Sequence, residues 1–201
     1  MHLVPTQEEV LKLLRDTGAL RDGYFEYPNG LRATKYLQVA LAMRHFQTAK
    51  ILSVGLTRLL RANQEIRAII PELSIVAPAT GGLPVAYGVC EALRANQVYW
   101  AEAGEGGALR FRQFLEIAKG EKVLLVDDIL RTGKKLTELK ALVESQGGEV
   151  VGLAVIVYQP TPETPNIGAL PFYYLAKLDG EYYSDGQKWE ELAVPIQKVW
   201  V

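Results

Sequence analysis

The stretch Val123-Leu124-Leu125-Val126-Asp127-Asp128-Ile129-Leu130-Arg131-Thr132-Gly133-Lys134-Lys135 decides how the rest of the chain is read. Four apolar residues make a buried strand, two adjacent carboxylates stand where it ends, and a turn containing Gly133 opens a helix. A helix start carries unpaired N–H groups and a partial positive charge, so it draws anions. Here Arg131, Lys134 and Lys135 crowd that positive end, an unfavourable arrangement until an anion sits among them. A phosphate resolves the conflict through backbone N–H groups, the Thr132 hydroxyl and the lysines. The carboxylates of Asp127 and Asp128 suit hydroxyl donors of a sugar and a Mg²⁺ ion carried on a diphosphate. The plainer alternative has Asp127 and Asp128 only capping the helix and pairing with the lysines.

Outward from this stretch the chain alternates strand and helix. Upstream, Ser74–Ala77 reads as a buried strand, Leu83–Leu93 as a helix and Val98–Trp100 as a further strand. Downstream, the helix opening at Gly133 runs to about Ser145, and Val150–Val157 is a strand. Such alternation predicts an α/β fold with a parallel sheet flanked by helices, which binds ligands at the carboxyl ends of its strands. Between the first of those strands and its helix lies Ala79-Thr80-Gly81-Gly82, a glycine turn given weight by that position. The N-terminal part begins with a helix capped by Thr6 and Glu9, then a hairpin over Gly23–Val39 turning at Pro28-Asn29-Gly30. A helix follows over Thr48–Ala62, and Ala108–Phe114 reads as a strand. After Pro160 the texture turns proline-rich, then to a strand over Phe172–Lys177 and a short terminal one. The expectation is one domain over 1–201, with a core over about 46–160 and a small hood built from 1–45 and 161–201.

Bulk properties narrow the function. With 22 basic and 23 acidic residues the net charge is −1, so no nucleic-acid partner is expected. The single cysteine, Cys90, forms no internal disulfide and fits a reducing compartment. The N-terminus lacks the pattern of a signal peptide and no stretch has the length of a membrane span, so a cytoplasmic location is expected. His2 and His45 are far apart without a cysteine partner, which argues against a metal site of their own. No G-x-G-x-x-G follows the first strand, and Arg131-Thr132-Gly133-Lys134-Lys135 lacks the spacer of a P-loop.

The stretch Val123–Lys135 resembles the diphosphate-sugar binding motif of type I phosphoribosyltransferases, which use 5-phosphoribosyl 1-diphosphate (PRPP). Further resemblance is specific to orotate phosphoribosyltransferases. It covers Phe25-Glu26-Tyr27-Pro28-Asn29-Gly30-Leu31 with Tyr36-Leu37-Gln38, the turn Ala77–Gly82, the segment Ala108–Phe114 and the ending Val194–Lys198. The resemblance implies a type I phosphoribosyltransferase-like fold with a hood. It implies transfer of ribose 5-phosphate from PRPP to a nitrogenous base, orotate first, with release of diphosphate. It further implies catalytic Asp127 and Asp128, and PRPP contacts from Arg131, Thr132, Gly133, Lys134, Lys135, Ala79, Thr80, Gly81 and Gly82. Arg110, Arg112, Phe25 and Lys35 are candidate diphosphate or substrate contacts, with Trp100 and Arg32 weighed beside them. Mg²⁺ arrives with PRPP, and a homodimer is expected.

Five places depart from the family pattern. Arg131 stands where Thr is usual, and Lys135 where Ser or Thr is usual. Ala101-Glu102-Ala103 and the loop Gly104–Gly107 lack the usual cation that faces diphosphate. Tyr158-Gln159 replaces the Asp-Arg whose arginine pairs with the carboxylate of orotate in many of these enzymes. Two other readings therefore stand beside the first: a phosphoribosyltransferase for another base, and a non-catalytic PRPP- or nucleotide-binding regulatory protein.

Overall fold

The computed structural model describes residues 4–27, 30–161, 164, 170–179, 182–183 and 195–199. His2, the Pro28-Asn29 tip of the expected hairpin turn, Pro162, Pro165 and Val194 lie outside the described residues.

Six strands form the central sheet, in the order β5-β4-β3-β6-β7-β8. They are β3 (Ser74–Pro78), β4 (Gln97–Ala103), β5 (Leu109–Phe111), β6 (Lys122–Leu130), β7 (Glu149–Tyr158) and β8 (Phe172–Lys177). All neighbours run parallel except β4 and β5. Every residue of β3 is buried, as are Val123–Asp127 of β6, the continuous apolar texture of strands covered on both faces. Helices α3 (Phe46–Ala62) and α5 (Gly82–Leu93) contribute to one core cluster with Leu52, Leu56, Leu60, Val85 and Val89. Helix α6 (Lys134–Ser145) places Leu136, Leu139 and Val143 in a second cluster with Leu125, Val150 and Val155. The sheet is thus flanked by helices, as the alternation predicts.

A second sheet of four strands, β10-β1-β2-β9, draws on both parts of the chain. Strands β1 (Leu20–Glu26) and β2 (Arg32–Leu37) form an antiparallel pair from Leu20↔Leu37 to Glu26↔Arg32, with an irregularity between Asp22 and Phe25. Two-residue strands β9 (Tyr182–Tyr183) and β10 (Gln197–Lys198) flank it. Helix α1 (Gln7–Asp16) starts at Thr6 with the expected reciprocal cap: Glu9 N–H donates to Thr6 Oγ1 (3.2 Å) and Thr6 N–H to Glu9 Oε2 (2.7 Å). Two short helices escape the periodicity, α2 (Ala40–Met43) and α4 (Gln64–Ile69). The latter is capped by Asn63, whose Oδ1 accepts from Glu65 N–H (2.8 Å) and Ile66 N–H (3.1 Å). Among the described residues no helix is long and apolar enough to cross a membrane.

One boundary differs from the expectation in a way that shapes the site. The apolar run ends at Val126, but β6 continues to Leu130, because β7 keeps pairing beside it through Ile129↔Val157 and Leu130↔Tyr158. On its other side β6 pairs with β3 only from Ser74↔Val123 to Val76↔Leu125. Asp127 and Asp128 therefore lie inside a strand, at the level where β3 and β6 part.

Candidate active site

That parting opens a cleft of about 1140 Å³. Its described lining comes from β3 and the turn after it (Pro78, Ala79, Thr80, Gly81), from Asp127–Leu136, and from the hood residues Tyr27, Leu31 and Tyr36–Gln38. Parallel strands that diverge leave backbone and side chains at their carboxyl ends uncovered, which is where such sheets take ligands.

The acid pair forms one wall. Asp127 is buried and Asp128 half-buried. Asp127 Oδ1 accepts from the Asp128 N–H at 2.8 Å. Burial pushes the Asp127 carboxyl well above the usual carboxylate range, and the neighbouring Asp128 charge adds to the rise. Asp128 is raised too, chiefly by burial, against the downward pull of its hydrogen bonds and of Arg131 and Lys135. Neither carboxylate forms an ion pair among the described residues, so pairing with the lysines does not account for them.

The glycine turn faces this wall closely. A Cβ on Gly81 would lie 3.0 Å from Asp128 Oδ2, and one on Gly82 would lie 3.0 Å from Asp127 Oδ1. Each glycine thus leaves room for one carboxylate. The Ala79–Thr80 peptide in this turn is cis. Gly82 opens α5 and is buried, whereas Ala79, Thr80 and Gly81 line the cleft.

The β6–α6 turn supplies the cations of the cleft. Gly133 has φ +74°, a left-handed conformation that favours glycine, and it places the first-turn N–H groups of α6 beside the cleft. Thr132, Lys134 and Lys135 are exposed, and Lys135 lowers the carboxyl pKa of both acids. The turn is tied to the segment after β7, where Thr164 Oγ1 donates to the Arg131 carbonyl.

Arg131 leaves this turn and reaches towards the hood. Its Nε donates to Gln159 Oε1 at 2.8 Å and its Nη2 to the Leu37 carbonyl at 2.7 Å. Its guanidinium carbon lies 5.3 Å from the centre of the Tyr27 ring. Gln159, only 1 % exposed, is fixed by its own N–H on the Leu130 carbonyl (2.8 Å).

The remaining sequence candidates stand elsewhere. Phe25 is buried in the hood against Tyr36, with ring centres 5.5 Å apart, and neither it nor Lys35 is in the described lining of the cleft. Arg32 pairs with Glu26 at 2.9 Å. Arg112 is engaged by Glu102 at 2.8 Å, and Trp100 Nε1 donates to the same carboxylate at 3.2 Å. The Arg110 side chain lies along Gly104, where an added Cβ would meet its Cδ at 2.9 Å. None of these three lines the cleft. Conversely, Tyr27, Tyr36, Leu37 and Gln38 do line it and were not singled out one by one. Tyr27 shares strand parity with Phe25, so the aromatic signal was present but did not say which ring meets the cleft.

Comparison with known proteins follows the same outline. A family model described as phosphoribosyl transferase domain matches residues 57–167. An orotate phosphoribosyltransferase of Carboxydothermus hydrogenoformans is 34% identical over 175 residues, 87% of each chain. Orotate phosphoribosyltransferase 2 of Mesorhizobium japonicum is 35% identical over 194 residues, 95% of each chain. Among solved structures, the orotate phosphoribosyltransferase of Aeropyrum pernix superposes with a TM-score of 0.67 at 21% identity, over 84% of this chain and 93% of that one. A phosphoribosyltransferase from Corynebacterium diphtheriae gives 0.62 at 27% identity, over 85% and 95%. With an acid pair, a glycine turn and a cationic helix start around one cleft, and with relatives of this kind along nearly its whole length, the chain belongs to the phosphoribosyltransferase family.

Proposed function

We propose that this protein transfers ribose 5-phosphate from PRPP to N1 of orotate and releases diphosphate, as an orotate phosphoribosyltransferase. The observation that carries the reading is the cleft where β3 and β6 part, lined both by Asp127 and Asp128 and by the α6 N-terminus. The identity of about a third to orotate phosphoribosyltransferases over most of the chain supports orotate as the base.

Each part of the cleft has a task suited to its chemistry. The first-turn N–H groups of α6, the Thr132 hydroxyl, Lys134 and Lys135 take the 5-phosphate. Asp127 and Asp128 accept from the ribose hydroxyls and favour positive charge developing on the sugar as the bond to diphosphate lengthens. Ala79, Thr80 and Gly81 of the turn Ala79–Gly82 line the cleft and bring backbone to the diphosphate, with Gly82 behind them making room for Asp127. A divalent cation suits the acid pair, two carboxylates without an ion-pair partner and with raised pKa values. The expected ion is Mg²⁺, carried in on the diphosphate. Such a Mg²⁺ ion, when bound, offsets charge on the departing diphosphate. A homodimer and a cytoplasmic location belong to the same reading.

Substituting Asp128→Asn should lower kcat by about 10²–10³-fold while the melting temperature does not fall. Diphosphate release from PRPP with orotate is the assay. Wild-type turnover in the variant removes the assignment of the acid pair. PRPP binding by the wild type without release on orotate or any other base would favour the regulatory reading instead.

A further inference from the structure

We propose that Arg131 reads the carboxylate of the acceptor base, in a position prepared by Gln159, Leu37 and Tyr27. This inference rests on the proposed orotate reaction and names the residue that would set its selectivity.

Three observations carry it. First, Arg131 is held from three sides by neutral groups: the Gln159 side-chain oxygen, the Leu37 carbonyl and the Tyr27 ring face. An arginine has five N–H donors in a planar fork. Two are bound here in described contacts, and among the described residues no carboxylate pairs with the guanidinium. Holding the fork without neutralising it is how a binding site keeps a cation ready for an incoming anion. Second, the Tyr27 hydroxyl beneath it is buried and has no hydrogen-bond partner among the described residues. Tyr27 itself lines the cleft, so the ring under Arg131 is part of the same wall. Third, this group sits on the hood side of the cleft, between Tyr36–Gln38 and the acid pair. The α6 N-terminus, which suits the sugar phosphate, is at the other end of the turn that Arg131 leaves.

Gln159 explains the arrangement. The family pattern puts an arginine at this position, but here the residue is 1 % exposed and its oxygen accepts from Arg131. The residue at the end of β7 thus orients a cation that stands on the turn after β6.

The test compares two nucleotides that differ by a single carboxylate, orotidine 5′-monophosphate and uridine 5′-monophosphate. Their affinities are measured by calorimetry for the wild type, Arg131→Gln and Arg131→Lys. The wild type should bind the carboxylated nucleotide about 10- to 100-fold more tightly. Arg131→Gln should bring the two affinities together while leaving that for uridine 5′-monophosphate within about twofold, which also shows that the variant is folded. Arg131→Lys should keep part of the preference, because it retains charge but not the fork. The proposal is overturned if the wild type does not discriminate. It is overturned equally if Arg131→Gln keeps the preference, or if both affinities fall together, which would place Arg131 on the shared phosphate. Turnover on orotate is a separate readout: discrimination without turnover would sink the proposed reaction and leave this assignment standing.

Discussion

Two adjacent glycines separate the contribution of the cleft from that of the fold. Both Gly81 and Gly82 face a carboxylate, and each can be changed to alanine. Gly81 has ordinary helical torsions, φ −63° and ψ −37°, so alanine fits its backbone. Its new Cβ would stand 3.0, 3.1 and 3.2 Å from Oδ2, Cγ and Oδ1 of Asp128. These contacts are all to the end of one half-buried side chain bordering an open cleft, so Asp128 moves aside by a few tenths of an ångström. The strain is then small and is offset by about 0.4–1 kcal/mol from a less flexible unfolded chain. Net stability should change by less than about 1 kcal/mol. Turnover should nevertheless fall about 3- to 10-fold, because a displaced catalytic group loses about 10² per ångström and Asp128 moves by a few tenths of one.

Gly82→Ala meets a different surrounding. Its Cβ would stand 3.0 Å from Asp127 Oδ1, 3.0 Å from Pro78 Cδ and 3.2 Å from Ala77 Cβ. Ala77, Pro78 and Asp127 are buried, and the first two belong to the fully buried β3, so the collision is with atoms that cannot retreat. Overpacking of this kind costs about 1–3 kcal/mol, of which a helix-favouring alanine returns up to about 1. For about 200 residues the net loss lowers the melting temperature by roughly 2–8 °C. Thermal denaturation and steady-state kinetics on both variants decide the matter. Full turnover in Gly81→Ala, or a melting temperature as low as that of Gly82→Ala, would refute the reasoning.

Two further perturbations test the charges. Asp127 has its carboxyl pKa well above the unfolded value, so the folded state binds the extra proton. Stability is therefore full below the ordinary carboxylate range and is lost as pH rises from there through the raised pKa. Asp127→Asn should accordingly be more stable than the wild type to denaturant at pH 7–8, with the gap closing towards pH 4, and it should lose activity. A gap independent of pH would contradict the sign of the shift. Gln159→Leu removes the acceptor of the Arg131 Nε–H, leaving that donor unpaired at a cost of about 1–3 kcal/mol. Calorimetry should show it discriminating the two nucleotides less than the wild type, and unchanged discrimination would show that Gln159 does not position Arg131.

How much of this was legible in the sequence differs between the sheet and the cleft. Strands such as β3 and the apolar part of β6 are continuous apolar runs closed by turn residues, so their existence follows from composition alone. The end of β6 did not, because β7 pairs with Asp127 and Ile129–Leu130, which carry no apolar alternation of their own. Asp127, Asp128 and the α6 start could be read because strand, acids, glycine and helix are contiguous. The hood's share could not. Leu37 contributes a carbonyl, which every residue has, and its nearness to Arg131 spans 94 positions. Likewise the contact of Arg131 with Gln159 spans 28 positions. The sequence showed both as separate departures from a pattern, and only their distance shows them to be partners.

The electrostatics of the cleft make sense only with a ligand in it. A buried and a half-buried acid stand side by side without a counter-ion in described contacts, and a guanidinium is held by neutral groups a short way off. Asp128 and Arg131 sense one another, since the arginine lowers the carboxyl pKa, yet they form no ion pair. Closing that pair directly would have stabilised the free protein and left neither charge for a substrate. A ligand with anionic groups at both ends and hydroxyls between them satisfies the α6 start, the acids and Arg131 at once. Binding such a ligand then releases electrostatic strain that folding alone leaves in place. The stabilisation by Mg²⁺ and PRPP should therefore be larger for the wild type than for Asp127→Asn. That follows because the variant has already shed the buried charge that the ligand would otherwise relieve.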